Sequence, residues 1–122
     1  MYQQVIGIDI IEISRISEAI ARWGDRFLKR VYTDRELALF KGKPESLAVR
    51  FAGKEAAMKA LNNNGMEIAW KEIEILPESN GRPILHIYGQ AQKKARDLGL
   101  SSLTISMSHS RDNAIALVIG VR

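Results

Sequence analysis

The stretch PESLAVRFAGKEAAMKAL, residues 44–61, limits the possible folds of this chain more than any other part. On a wheel at roughly 100° per residue, Leu47, Phe51, Met58 and Leu61 occupy one arc. Ala52, Ala56, Ala57 and Ala60 fill most of the other faces. A helix with so little polar surface is covered on most sides, so the remaining elements have to be arranged around it. Pro44 is well placed in a first helical turn, and Asn62-Asn63-Asn64-Gly65 ends the helix.

The flanking segments predict what covers it. Residues 4–11, QVIGIDII, are apolar and β-branched and read as a buried strand. Ser14 can cap a short helix that runs through Trp23 and stops at Gly24. A second helical stretch covers Asp25 to Val31, and Thr33-Asp34-Arg35-Glu36 has the form of a capping box opening a helix to about Phe40. Within residues 67–77, Lys71-Glu72-Ile73-Glu74-Ile75 alternates like a half-exposed strand. Asn80-Gly81-Arg82-Pro83 reads as a turn, Ile84 to Tyr88 as a strand, and Gln90 to Leu98 as a helix closed by Gly99. Residues 102–108 and Ala114 to Val121 read as strands joined by a hairpin connection, His109 to Asn113. One strand, several helices and then mostly strands predict an α+β fold: a mainly antiparallel sheet packed on one long helix, with shorter helices beside it.

The 122 residues suffice for one core, so residues 1–122 read as a single domain. No apolar run approaches the length of a bilayer, so no membrane partner is expected. The start MYQQVIGIDI lacks the features of a secretion signal. The absence of cysteine excludes a disulfide framework, a thiolate zinc site and a cysteine nucleophile, and a cytoplasmic location is expected. A net charge of +4 suits an acidic partner: a nucleotide, a nucleic acid or an acidic protein.

Three charged residues do not fit this apolar pattern. On the wheel, Lys54 falls between Leu61 and Leu47, and Glu55 between Phe51 and Ala48. The ordinary reading of Glu55 is an i,i+4 pair with Lys59 on a solvated face. Inside an apolar arc, however, a carboxylate loses hydration at a cost on the order of several kcal/mol unless something compensates. Asp9 raises the same problem, sharing a strand face with Val5, Gly7 and Ile11. It can cap a helix or pair with an arginine. Two buried carboxylates on elements that pack together also suit Mg²⁺, which usually takes one or two protein carboxylates with phosphate oxygens and water. His109, in Ser106-Met107-Ser108-His109-Ser110, is a surface turn histidine or a donor to phosphate.

Four motifs, in order, carry a family resemblance: Gly7-Ile8-Asp9 near the start, the Arg50-to-Ala60 helix with its Lys-Glu pair, the Asn80-to-Pro83 turn, and Ser106 to Ser110. Their order and spacing, over nearly the whole chain, resemble the holo-[acyl-carrier-protein] synthases, the small bacterial type of 4′-phosphopantetheinyl transferase. The resemblance implies the fold of that family and an enzyme that moves the 4′-phosphopantetheine arm of coenzyme A to a serine of apo-acyl carrier protein. The products are holo-carrier and 3′,5′-ADP, in support of fatty acid biosynthesis.

By the same resemblance, Asp9 and Glu55 hold Mg²⁺ and Lys59 reaches the phosphates. Arg50 and Lys54 match basic positions near those phosphates, although Lys54 alone also reads as a snorkelling stem. His109 and Ser110 match residues beside the bound coenzyme A, and Gly81, Arg82 and Pro83 match a turn lining its nucleotide pocket. The base that takes the serine proton is left among Asp34, Glu55 and a metal-bound water. Helix capping explains Asp34 equally well. Arg15, Arg22 and Arg26 share a face if the first helix continues past Gly24. That face is either solvated or, as the resemblance suggests, a docking surface for an acidic carrier protein. The family further implies a homotrimer with active sites between protomers.

Two readings compete. A small basic nucleic-acid-binding module explains the charge but leaves Asp9 and Glu55 without a role, and the eight aromatics offer no stacking platform. A non-catalytic nucleotide-binding domain lacks a glycine-rich phosphate loop.

Overall fold

The long helix is central in the structure, a computed structural model describing residues 3–62 and 68–122. Asn63, Asn64 and Gly65, read above as ending that helix, and Glu67 lie outside the described residues. The elements are β1 (Gln4–Glu12), α1 (Ile13–Trp23), α2 (Asp25–Val31), α3 (Asp34–Phe40), α4 (Pro44–Ala60), a 3₁₀ turn (Trp70–Glu72), β2 (Ile73–Pro77), β3 (Pro83–Ile87), α5 (Gly89–Asp97), β4 (Ser102–His109) and β5 (Asn113–Val121). The strands form two antiparallel ladders, β1-β5-β4 and β2-β3, where the sequence suggested one sheet. The α+β class and the antiparallel pairing agree with the sequence expectation.

Alanines decide how closely α4 packs. Ala52, Ala56, Ala57 and Ala60 are buried against Ala116 and Val118 of β5, Ile73 of β2, and Ala91 and Ala95 of α5. A second cluster, from Leu47, Ala48 and Val49, packs on Ile13 and Ile16 of α1 and on Leu28, Val31 and Tyr32. Small side chains keep the interaxial distance short. Gly7 takes this further: a β-carbon there would overlap the Ala56 carbonyl and stand 2.7 Å from the Ala60 nitrogen.

Four local expectations change. α1 starts at Ile13 directly from the strand, with Glu12 rather than Ser14 at the N-cap and no side-chain cap. Gly24 does end it, at φ 55°, and α2 begins afresh at Asp25, so Arg15, Arg22 and Arg26 do not share one continuous helix face. β2 is not half-exposed: Ile73 to Leu76 are all buried, because α4 covers one side and α3 ties onto the other. β1, conversely, is covered on one face only. Val5, Gly7, Asp9 and Ile11 turn toward α4, while Ile6, Ile8 and Ile10 are 60%, 53% and 63% exposed. The register continues that outer face as Ile6–Ile119–Thr104, Ile8–Leu117–Ser106 and Ile10–Ile115–Ser108.

Candidate active site

Asp9 and Lys59 are fifty residues apart in sequence and meet as an ion pair, Nζ to Oδ1 at 3.1 Å, with Nζ also donating to the Ile8 carbonyl at 3.0 Å. The approach of Gly7 to Ala56 and Ala60 explains the meeting. Glu55 and Lys59 each immediately precede one of those alanines, so the turn that presses on Gly7 also carries both charged side chains to the edge of β1. Burial, and then the nearby Asp9 charge, push the Glu55 carboxyl above its ordinary value, with Lys59 pulling the other way. Lys59 therefore pairs with Asp9 across the strand–helix contact, not with Glu55 along the helix. Two carboxylates and one ammonium converge here, from residues the sequence singled out.

Asp9 and Glu55 fit a divalent cation by their chemistry. Two hard oxygen donors repel each other, and Mg²⁺ commonly accepts that number of protein carboxylates, completing its shell from phosphate and water. Among the described residues no group of three or more His, Cys, Asp or Glu forms an all-protein metal cage.

Lys54 departs from expectation, and Arg50 is anchored beside it. Lys54 is fully buried, and its ammonium donates to Glu36 Oε1 at 2.8 Å, to the Trp70 carbonyl at 3.2 Å and to the Ile73 carbonyl. Burial lowers its pKa and Glu36 raises it, with the net shift downward. All three of its protons are committed inside the chain, which leaves none for a phosphate. Arg50 is buried one turn earlier, its guanidinium 3.5 Å from the Phe40 ring centroid, donating to the carbonyls of Ile75 at 3.0 Å and Ser46 at 3.3 Å. Burial pushes it down to about 10, against Glu36 and Tyr32, so it remains charged at neutral pH. Consecutive residues leave a helix roughly 100° apart. Lys54 therefore faces β2 and α3 while Glu55 faces β1.

The sequence reading missed the acidic half of this network. Glu36 completes the capping box with Thr33, accepting from its backbone N–H at 2.9 Å, and also accepts from Ile75 N–H at 2.8 Å. Glu74 accepts from the Thr33 hydroxyl at 2.5 Å and the Tyr88 hydroxyl at 2.8 Å. The available signal was Lys54 itself: an ammonium on an apolar arc requires an anion.

The other candidates lie apart from Asp9 within one chain. Asp34 stands exposed at the first position of α3, whose tie is to β2 and Lys54. His109 is exposed at the end of β4. The register places it on the α4-facing side of the sheet, two strands across from Ile11 and hence about 10 Å from it. Ser110 closes the hairpin, donating from its N–H to the Asn113 carbonyl at 2.9 Å. Gly81, at φ 86°, turns the exposed β2–β3 connection. Arg82 and Pro83 border a cleft of about 130 Å³ with Glu78, Leu103 and Ile105.

On the α1–α2 side, Arg15 pairs with Glu12 at 3.5 Å. The Arg22 guanidinium lies 5.1 Å from the Trp23 ring centroid. Trp23, Arg26, Phe27 and Arg30 line a hollow of about 380 Å³. The sequence reading noted the arginines but not their aromatic companions.

The chain matches the family model of the 4′-phosphopantetheinyl transferase superfamily over residues 5–118. It is 44% identical to a holo-[acyl-carrier-protein] synthase of Herpetosiphon aurantiacus, covering 96% of this chain and 98% of that one. It is 50% identical to one from Dehalococcoides mccartyi, covering 93% and 94%. Its structure matches that of the Helicobacter pylori holo-[acyl-carrier-protein] synthase in complex with coenzyme A, at a TM-score of 0.85 and 35% identity over 94% of this chain and 98% of that one. The fold, the four motifs and these matches together assign the chain to the 4′-phosphopantetheinyl transferase superfamily.

Proposed function

We propose that this chain is a holo-[acyl-carrier-protein] synthase that transfers the 4′-phosphopantetheine arm of coenzyme A to a serine hydroxyl of apo-acyl carrier protein, releasing 3′,5′-ADP. The observation that carries this is the convergence of Asp9, Glu55 and Lys59 at the β1–α4 contact in a chain of this family. The nucleic-acid alternative gives that convergence no role.

In this reading, Asp9 and Glu55 are the residues that would hold Mg²⁺. When bound, the ion supplies charge neutralisation on the phosphoryl oxygens. Lys59 has two of its three protons engaged by Asp9 and the Ile8 carbonyl, which leaves one to donate to a phosphate oxygen and offset charge on the departing 3′,5′-ADP. Of the acidic residues considered as acceptors for the serine proton, Glu55 stands in this cluster and Asp34 does not.

The reading extends to assembly and partners. On the outer face of β1 and β5, Ile6, Ile8, Ile10 and Ile115 are exposed, with the half-buried Leu117 and Ile119 in the same aligned rows, a contiguous apolar run of the kind that marks an interaction surface. Burying it between copies of this chain supports a homotrimer. His109, Ser110, Gly81, Arg82 and Pro83 remain the residues assigned to coenzyme A in this reading, with the active sites between protomers. The Arg22–Trp23–Arg26 region is the proposed docking surface for the acidic carrier, with Arg15 at its edge. We place the activity in the cytoplasm, in support of fatty acid biosynthesis. Among the described residues no helix is long and apolar enough to cross a membrane.

The test is incubation with coenzyme A, Mg²⁺ and several apo-carrier proteins, followed by mass spectrometry of the carrier. Addition of one phosphopantetheine arm is expected. An unchanged mass with every carrier would remove the enzyme reading.

A further inference from the structure

Lys54 and Glu55 are neighbours in the middle of α4, yet only Glu55 reaches the β1 side. The ammonium of Lys54 bridges three acceptors on two other segments: Glu36 of α3, and the carbonyls of Trp70 and Ile73 at the entry to β2. Glu36 is itself fixed by the N–H groups of Thr33 and Ile75, so the anchor does not move independently. Arg50 repeats the attachment one turn earlier through the Ile75 carbonyl.

Toward the sheet the polar tie of α4 is weaker: Lys59, exposed in the last turn, holds Asp9 and the Ile8 carbonyl. Ala52, Ala56 and Ala60 present only methyl groups, and Gly7 presents none. Such a surface sets how closely the helix approaches but resists its rotation weakly. Rotation nevertheless decides the site. At the rim of a helix about 5–6 Å in radius, a turn of about 10° displaces a side-chain end by about 1 Å. A misplacement of about that size can lower a rate about a hundredfold. A buried ion pair contributes little net stability compared with apolar packing, but its hydrogen bonds tolerate little displacement.

We propose that Lys54 is a positioning residue for the Asp9–Glu55 site: its anchorage to Glu36 and the entry of β2 fixes the rotation of α4 and thereby aims the Glu55 carboxylate at Asp9. This rests on the reading of Asp9 and Glu55 as the cation-holding pair. It assigns Lys54 no contact with coenzyme A.

The test compares the unaltered chain with Lys54→Met and Glu55→Gln, titrating each with Mn²⁺ by electron paramagnetic resonance at a temperature where circular dichroism shows it folded. Lys54→Met is expected to lower Mn²⁺ affinity about tenfold or more. It is also expected to lower kcat while leaving the KM for coenzyme A nearly unchanged. A lower melting temperature with Mn²⁺ affinity and kcat intact would make Lys54 merely structural and overturn the proposal. A raised KM for coenzyme A with intact Mn²⁺ affinity would make it a phosphate ligand and do the same. Mn²⁺ binding that is insensitive to Glu55→Gln would instead overturn the reading of the site itself. A measurement on the unaltered chain decides the matter if Lys54→Met does not fold. With ¹⁵N-labelled lysine, the protected Lys54 ammonium resonance is expected to stay in place on addition of coenzyme A while that of Lys59 shifts. Movement of the Lys54 resonance would overturn the proposal.

Discussion

Gly7 on β1 lies so close to the carbonyl of Ala56 on α4 that a methyl group cannot fit between them. The obstacles are helix backbone, which has no rotamer to yield. Gly7→Ala is therefore expected to push α4 off β1 and to destabilise the fold by about 1–3 kcal/mol, measured by urea unfolding. Separating Asp9 from Glu55 and Lys59 is expected to lower transfer about a hundredfold. Normal turnover in Gly7→Ala would show that this contact does not set the site.

Glu55 gives a pH-dependent prediction. Its carboxyl is raised from the ordinary 4.5 by burial and then by Asp9, so its charged form opposes folding. The stability associated with the neutral form is present at low pH and lost as pH rises through the raised value. At neutral pH, Glu55→Gln is expected to melt above the parent, and at pH below 4.5 to melt with it. Mg²⁺ is expected to raise the melting temperature of the parent at neutral pH, less so in acid where protons compete, and not that of Glu55→Gln. Transfer is expected to be abolished in Glu55→Gln and Asp9→Asn.

Glu74 has the opposite sign. Burial raises its pKa, but hydrogen bonds from Thr33 and Tyr88, with the charges of Arg35 and His86, outweigh burial and hold it below 4.5. Its stabilisation is complete above 4.5 and lost as pH falls through the depressed value. Glu74→Gln is expected to cost about 1–2 kcal/mol at neutral pH. The difference from the parent should shrink in acid, as followed by chemical denaturation across pH.

Ile8 stands in the middle of the outer sheet face, in the row with Leu117 and Ser106. Ile8→Glu is expected to leave the chain folded, since the side chain is already more than half exposed, and to reduce self-association in sedimentation velocity. Transfer should fall with it if sites lie between copies. An unchanged sedimentation coefficient would show that this face is not an interface.

Arg26 shares its hollow with Trp23, Phe27 and Arg30. Arg26→Glu is expected to raise the KM for carrier protein about tenfold, with little change for coenzyme A, and to weaken the salt dependence of the reaction. Equal effects on both substrates would count against docking there.

Much of the local structure was legible. The Thr33–Glu36 capping box, Pro44 in the first turn of α4 and the Gly24 stop carry their geometry in adjacent residues, and each appears where the sequence placed it. The failures were of partnership. Lys71-Glu72-Ile73-Glu74-Ile75 alternates like a half-exposed strand, yet β2 is covered on both sides because α3 supplies acceptors and hydroxyls for its polar groups. QVIGIDII reads as buried throughout, yet its Ile6, Ile8 and Ile10 face outward.

The sequence by itself determined that a long alanine-rich helix would be enclosed and that Asp9 and Glu55 were too polar for their surroundings. It also carried the family motifs in order. Those are properties of composition and spacing, which a linear chain displays. Only the tertiary structure decided that Lys54 belongs to Glu36 and Lys59 to Asp9. Which charge satisfies which depends on the rotation of α4 and on strands brought together from distant parts of the chain, and helical periodicity alone does not specify either.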